Sequence, residues 1–105
     1  MIFITGPLYS GKRTFANALP GTRIAEVQNL AKDADDLEKL ADKLAAYDIV
    51  IATEVGGGVV PVDAGERAAR EAAGRLACLL ASRAQCVVQM FCGIPTVLKG
   101  ELPEC

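Results

Sequence analysis

Residues 1–12 read MIFITGPLYSGK. Ile2, Phe3, Ile4 and Thr5 form a short apolar, β-prone run, and Gly6, Gly11 and Lys12 follow at the G-x-x-x-x-G-K spacing of a phosphate-binding loop. The spacing has a mechanical reason. Glycines let the chain curl until successive N–H groups face one concavity, and a helix beginning there points the positive end of its dipole at the same place. In such a loop Gly6, Pro7, Leu8, Tyr9, Ser10 and Gly11 cradle phosphate, Lys12 reaches the β- and γ-phosphates, and Arg13 and Thr14 open the helix. The place after the lysine normally holds Ser or Thr, whose hydroxyl binds Mg²⁺. Here it is Arg13, with Thr14 one step later. One helical step turns a side chain by about 100°, so Thr14 is an imperfect metal ligand. A strand before the loop and a helix-compatible run over residues 12–19 distinguish it from a glycine-containing surface turn.

Length and composition narrow the rest. A chain of 105 residues is one domain with a single core, here a nucleotide-binding unit spanning residues 1–105. Half the residues are hydrophobic and only 5% aromatic, so the core is built from Val, Ile, Leu and Ala. The net charge of −2, without a basic block, argues against nucleic acid, whose phosphate backbone needs clustered Lys or Arg. No apolar stretch approaches the roughly 20 residues of a membrane span, and no basic segment precedes the first apolar run. The expected location is the cytoplasm. Cys78, Cys86 and Cys92 read as small buried thiols and Cys105 as a free one. No C-x-x-C pair occurs, and the chain has no histidine, which excludes imidazole bases and nucleophiles.

The elements follow in order. Residues 2–5 predict a buried strand and residues 11–19 a helix, stopped by Pro20-Gly21. Residues 22–27 predict a second strand, at an edge because of Arg23 and Glu26. Over residues 33–47, Leu37, Leu40, Ala41 and Leu44 repeat at helical spacing, with Leu30 a turn earlier and Asp33 or Asp35 as cap. Asp48-Ile49-Val50-Ile51-Ala52-Thr53 is a continuous apolar strand, as in a parallel sheet covered on both faces. It ends at Glu54, and Gly56, Gly57 and Gly58 follow. A carboxylate and a glycine loop at a strand's carboxyl end stand where open α/β sheets place ligands. Residues 63–83 predict a long helix, in which Gly74 suggests another backbone packed close. Residues 86–91 are a further strand, broken by Gly93-Ile94-Pro95, and residues 96–105 read as a tail. This β-α-β-α-β-α-β order predicts an α/β, three-layer, P-loop NTPase-like domain. Its small, mostly parallel sheet has about four strands flanked by helices.

Three segments together resemble a known family: T-E-V-G-G-G-V-V-P at residues 53–61, an R-x-x-R-E-x-x-G-R helix from Arg67, and C-G-I-P-T-V-L-K at residues 92–99. They are similar to the bifunctional adenosylcobinamide kinase / adenosylcobinamide-phosphate guanylyltransferases of cobalamin biosynthesis, whose phosphate loop also ends in S-G-K. The matching segments, residues 1–19 and 48–99, cover roughly two thirds of the chain. The family's middle section, with its guanylylated histidine and an acidic strand end, has no counterpart here. Arg13 replaces the family's Ser after the loop lysine, and Thr53 its Asn before the glutamate. The resemblance implies ATP or GTP with Mg²⁺ and a corrinoid partner. A short sheet with two edges and little helix cover predicts self-association, with the alanine- and leucine-rich residues 63–83 as the contact surface, which fits the oligomeric habit of that family. The resemblance also implies catalytic roles for Lys12 and Glu54, a substrate loop of Gly56, Gly57, Gly58 and Arg67, and Mg²⁺ near Thr14 and Glu54. Phosphoryl transfer to a cobinamide-like alcohol stays open on this reading, whereas a histidine-linked guanylyl intermediate does not. The alternatives are a non-catalytic nucleotide- or corrinoid-binding regulator or subunit, and a ligand-free structural domain with Arg13 filling the phosphate cavity.

Overall fold

The computed structural model describes residues 1–7, 10–31, 33–54 and 64–101, with residues 64 and 66 described by backbone alone. A five-stranded sheet runs in the order β2-β3-β1-β4-β5. Its strands are β1 (Ile2–Gly6), β2 (Arg23–Ile24), β3 (Ile49–Thr53), β4 (Cys86–Phe91) and β5 (Ile94–Lys99). The first four are parallel, and β5 pairs antiparallel with β4. The helices are α1 (Lys12–Asn17), α2 (Gln28–Ala31), α3 (Leu37–Leu44) and α4 (Ala64–Arg83).

The chain moves from β1 past β3 to β2, then reverses to β3 and crosses β1 to reach β4. Right-handed crossovers running in opposite directions place their helices on opposite faces. One face therefore packs Ile2, Ile4, Ile49, Ile51 and Val88 against Ala16 and Leu19 of the α1 segment. The other packs Phe3, Val50, Ala52 and Val87 against α2, α3 and α4 through Ala31, Ala41, Leu44, Leu76 and Leu80. Neighbouring strands β1 and β3 thus send their connections to opposite sides, and the crevice at their carboxyl ends is where such sheets bind ligands.

Edge strand β2 is only two residues long and is held by a side-chain clamp. Asp48 Oδ2 accepts from the Thr22 N–H at 2.9 Å and from its hydroxyl at 3.2 Å. That fixes the register from which Glu26 projects.

Several expectations change. The helix expected at residues 33–47 starts at Leu37, because Asp36, not Asp33 or Asp35, caps it by accepting from the N–H groups of Glu38 and Lys39. Leu30 belongs to α2 and is exposed. The first helix is shorter than residues 11–19, and the strand expected at residues 22–27 is confined to Arg23 and Ile24.

The tail expected after residue 95 is instead strand β5. Cys92 and Gly93, at φ 51° and 76°, make the tight left-handed turn that suits a β-hairpin. Lys99 then donates to the carbonyls of Ala81 and Ser82 at 3.0 and 3.2 Å, tying β5 to the end of α4.

No backbone approaches Gly74: a Cβ built there meets nothing within 4 Å. Gly74→Ala is therefore expected to raise stability by about 0.5–1 kcal/mol, read from the midpoint of chemical denaturation. A loss of stability would mean that something does pack on that turn.

Of the cysteines, only Cys86 is buried as expected; Cys78 and Cys92 are exposed, and Cys105 lies outside the described residues. Burial pushes the Cys86 thiol up. In a Cys105→Ser protein, Ellman's reagent is expected to modify Cys78 and Cys92 quickly and Cys86 only on unfolding. Rapid modification of Cys86 in the folded protein would contradict that packing.

Candidate functional site

The phosphate-loop sequence is braced from β4 and its hairpin. Gly6 ends β1 so close to β4 that an added Cβ would overlap the Met90 carbonyl oxygen. Gly11, at φ 90°, precedes α1, and its position for a Cβ lies 3.2 Å from the Cα of Gly93. The N–H of Gly93 donates to the Ser10 carbonyl at 2.9 Å. The hairpin absent from the sequence reading is therefore what holds the loop's second half.

Lys12 is buried and turns back into the loop, where its Nζ donates to the Pro7 carbonyl at 2.7 Å and lies 3.4 Å from Ser10 Oγ. An ammonium carries three donors, so one remains for an incoming acceptor. Burial pulls the Lys12 pKa down, opposed by the carboxylates of Glu26 and Glu54, with Arg13 adding to the lowering. Leu8 and Tyr9 lie outside the described residues.

Around this lysine the carboxyl ends of β2, β3 and β4 contribute a polar cluster. Glu26 sits just past β2 with a left-handed backbone at φ 58°. Its carboxylate accepts from Gln28 Nε2 at 2.6 Å and from the Thr53 hydroxyl at 3.0 and 3.1 Å. Gln28 in turn accepts from the Thr53 N–H at 3.0 Å. Arg13 reaches the same carboxylate at 3.5 Å. Burial disfavours the Glu26 anion, but the bonds from Gln28 and Thr53, with the charges of Arg13 and Lys12, outweigh it and hold its pKa below the usual carboxylate value. Such a group stabilises the fold above the carboxylate's ordinary pKa, and the contribution disappears as pH falls through the lowered folded value. Glu26→Gln is accordingly expected to flatten the acid limb of the stability–pH curve; an unchanged limb would contradict the arrangement.

Glu54 follows β3. Its N–H donates to the Gly6 carbonyl at 2.8 Å, and its Oε1 accepts from Gln89 Nε2 at 2.7 Å. Glu54, Gln89, Thr53, Gln28 and Thr5 rim a cavity of about 310 Å³ floored by Ala73, Leu76 and Leu80.

The fold thus brings Gly6, Pro7, Ser10, Gly11, Lys12, Arg13 and Glu54 to one end of the sheet. Thr14 is exposed on α1, and no contact joins it to this cluster among the described residues. Gly56, Gly57 and Gly58 lie outside the described residues, and Arg67 is exposed near the start of α4. Among the described residues, no three Cys, Asp or Glu side chains converge on a metal position. The donor set fits Mg²⁺ held mainly by phosphate and water: Glu26 is occupied by Gln28, Thr53 and Arg13, and one Glu54 oxygen by Gln89, which leaves the second Glu54 oxygen to supplement them.

Glu26, Gln28 and Gln89 escaped the sequence reading. The carboxyl-end rule for parallel sheets would have marked Gln89, but the left-handed turn that aims Glu26 has no sequence signature in a non-glycine residue.

The profile of a family described as cobinamide kinase / cobinamide phosphate guanyltransferase matches residues 21–98. That stretch, about three quarters of the chain, includes Glu26, Thr53, Glu54 and Gln89 and begins after the phosphate-loop sequence. No curated protein matches the chain.

Proposed function

Since the chain belongs to the cobinamide kinase / cobinamide phosphate guanyltransferase family, we propose that it binds a nucleoside triphosphate at residues 6–14 and transfers its terminal phosphoryl group to a cobinamide-like alcohol. The single observation that carries this is Lys12, held buried within a G-x-x-x-x-G-K loop at the carboxyl end of β1. Phosphoryl transfer depends on positioning and charge neutralisation, not on a covalent enzyme intermediate. Lys12 supplies positive charge to the β- and γ-phosphates, and loop N–H groups orient them. Glu54 orients the acceptor hydroxyl or holds phosphate-bound Mg²⁺, whose chemistry is to screen charge on the transferring group. The glycines at 56–58 and Arg67 complete the acceptor side of the proposal.

A histidine-linked guanylyl step has no residue to carry GMP, since the chain contains no histidine. Incubation with ATP or GTP, Mg²⁺ and cobinamide is expected to yield the nucleoside diphosphate and phosphorylated cobinamide, with no guanylylated protein. Tight nucleotide binding without turnover would instead support a non-catalytic relative. The identity of residue 13 favours that relative, since an arginine supplies no hydroxyl at the usual metal position. In the cell we expect the protein in the cytoplasm. No described helix is long and apolar enough to cross a membrane.

Self-association belongs to the same proposal. Phe91, Ile94, Val97 and Leu98 of the β4–β5 hairpin are exposed, whereas the described part of α4 exposes no large hydrophobic residue. This favours the hairpin over α4 as the contact, and gel filtration of the intact chain tests it.

A further inference from the structure

Arg13 and Glu26 join the first turn of α1 to the end of β2, beside the loop lysine. The two partners depend on each other unequally. Glu26 also holds a 2.6 Å bond from Gln28 and two contacts near 3 Å from Thr53, none of which involves Arg13. Its backbone, at φ 58°, is anchored separately: Val27, the next residue, donates its N–H to the Ile51 carbonyl at 3.3 Å. Arg13 gives Glu26 its longest contact, 3.5 Å, and its side chain is 70% exposed. An exposed pair of this kind contributes little to stability, and its opening leaves no buried carboxylate unpaired.

Guanidinium, however, is a five-donor planar fork suited to bidentate phosphate binding. An acceptor of higher charge arriving at Lys12 competes for it on favourable terms. We propose that Arg13 is a phosphate ligand parked on Glu26: it rests there in the free protein and moves to the phosphates of bound nucleotide, so that Glu26 sets nucleotide affinity as a built-in competitor. This rests on residues 6–14 being the nucleotide site. The arginine at the place of the usual Ser or Thr is then a functional replacement, exchanging a metal-borne charge for a fixed one that must first leave its carboxylate.

Calorimetric titration of the intact chain with ATP tests the assignment through a double-mutant cycle. Arg13→Ala is expected to weaken binding about tenfold. Glu26→Gln is expected to tighten it by up to about fivefold, by freeing the guanidinium. In the Arg13→Ala background the same Glu26→Gln change is expected to move affinity by less than about twofold, because nothing remains to be freed. Arg13→Ala binding within twofold of wild type would overturn the proposal. So would equal tightening by Glu26→Gln in both backgrounds, which would mean that Glu26 merely repels phosphate. Should Glu26→Gln fail to fold, Arg13→Ala and Arg13→Lys decide alone, with Lys expected to restore only part of the affinity. A folded wild-type protein that binds neither ATP nor GTP overturns the nucleotide site itself; binding lost in Lys12→Ala but kept in Arg13→Ala overturns only the parked role.

Discussion

Lys12→Ala is expected to lower nucleotide affinity about a hundredfold while leaving the fold intact. The ammonium is the one buried charge in the described part of the chain, and it gives two of its donors to Pro7 and Ser10. Burial already disfavours it, as the downward shift of its pKa shows. A cation kept in such a place at a cost to the fold is arranged for something other than stability. Removing it deletes a desolvated charge along with its two bonds, so the net change in stability is expected to stay within about 1 kcal/mol. The effect on a polyanion should be far larger. The same shift gives a pH dependence: as pH rises toward the lowered Lys12 value, the ammonium loses its proton and nucleotide affinity falls earlier than an ordinary lysine would dictate. Calorimetry on the variant, with circular dichroism to follow folding, checks both halves. Affinity within twofold of wild type would remove Lys12 from the site.

The second large effect concerns the glycine that opens the loop. Gly6→Ala pushes a methyl group into the Met90 carbonyl oxygen and to 2.8 Å from Ser10 Oγ. The obstructing atoms include the backbone of a central strand, which a rotamer change does not relieve. Overpacking of this kind costs about 2–3 kcal/mol, a large share of the roughly 5–10 kcal/mol that holds a domain of this size together. The expected result is a melting temperature lower by about 10–20 °C. Nucleotide binding should fall as well, because β1 delivers the chain into the loop at this residue. A variant that melts with wild type would show that β1 and β4 are not so closely apposed.

How much of this was visible in the residues follows from where local and long-range forces agree. Strand β3 was legible because Ile49, Val50, Ile51 and Ala52 are buried on both faces and need no alternation to announce them. Helix α4 was legible because Ala73, Leu76 and Leu80 recur at helical spacing and supply its inward face. The start of α3 was misread because acids before a helix look alike in sequence, and only the geometry shows that Asp36 is the one accepting from the first turn. Strand β5 was lost because two-residue hairpin turns usually declare themselves by Asn-Gly or Asp-Gly, and here the left-handed positions fall on Cys92-Gly93. Gly74 invited a packing explanation that the surrounding space does not support.

The loop motif itself was plain, and so was Glu54. What the sequence hid was the support: Gly93 against Ser10, Gln89 against Glu54, and Glu26 bound to Gln28 and Thr53 from a residue in an unfavoured conformation. Each joins residues at least 25 positions apart, except the Gln28 bond within its own turn. Pairings of that range are set by topology, which period and propensity alone do not specify.

Amide chemical shifts of isotope-labelled protein, recorded before and after addition of ATP, test the phosphate site most directly. The largest changes should fall on the amides of Gly11, Lys12 and Arg13, with smaller ones at Thr53 and Glu54. Changes confined to the groove that Asp36 and Leu37, at the start of α3, form with Glu71, Arg75 and Cys78 of α4, or an unaltered spectrum at millimolar ATP and at millimolar GTP, would contradict it.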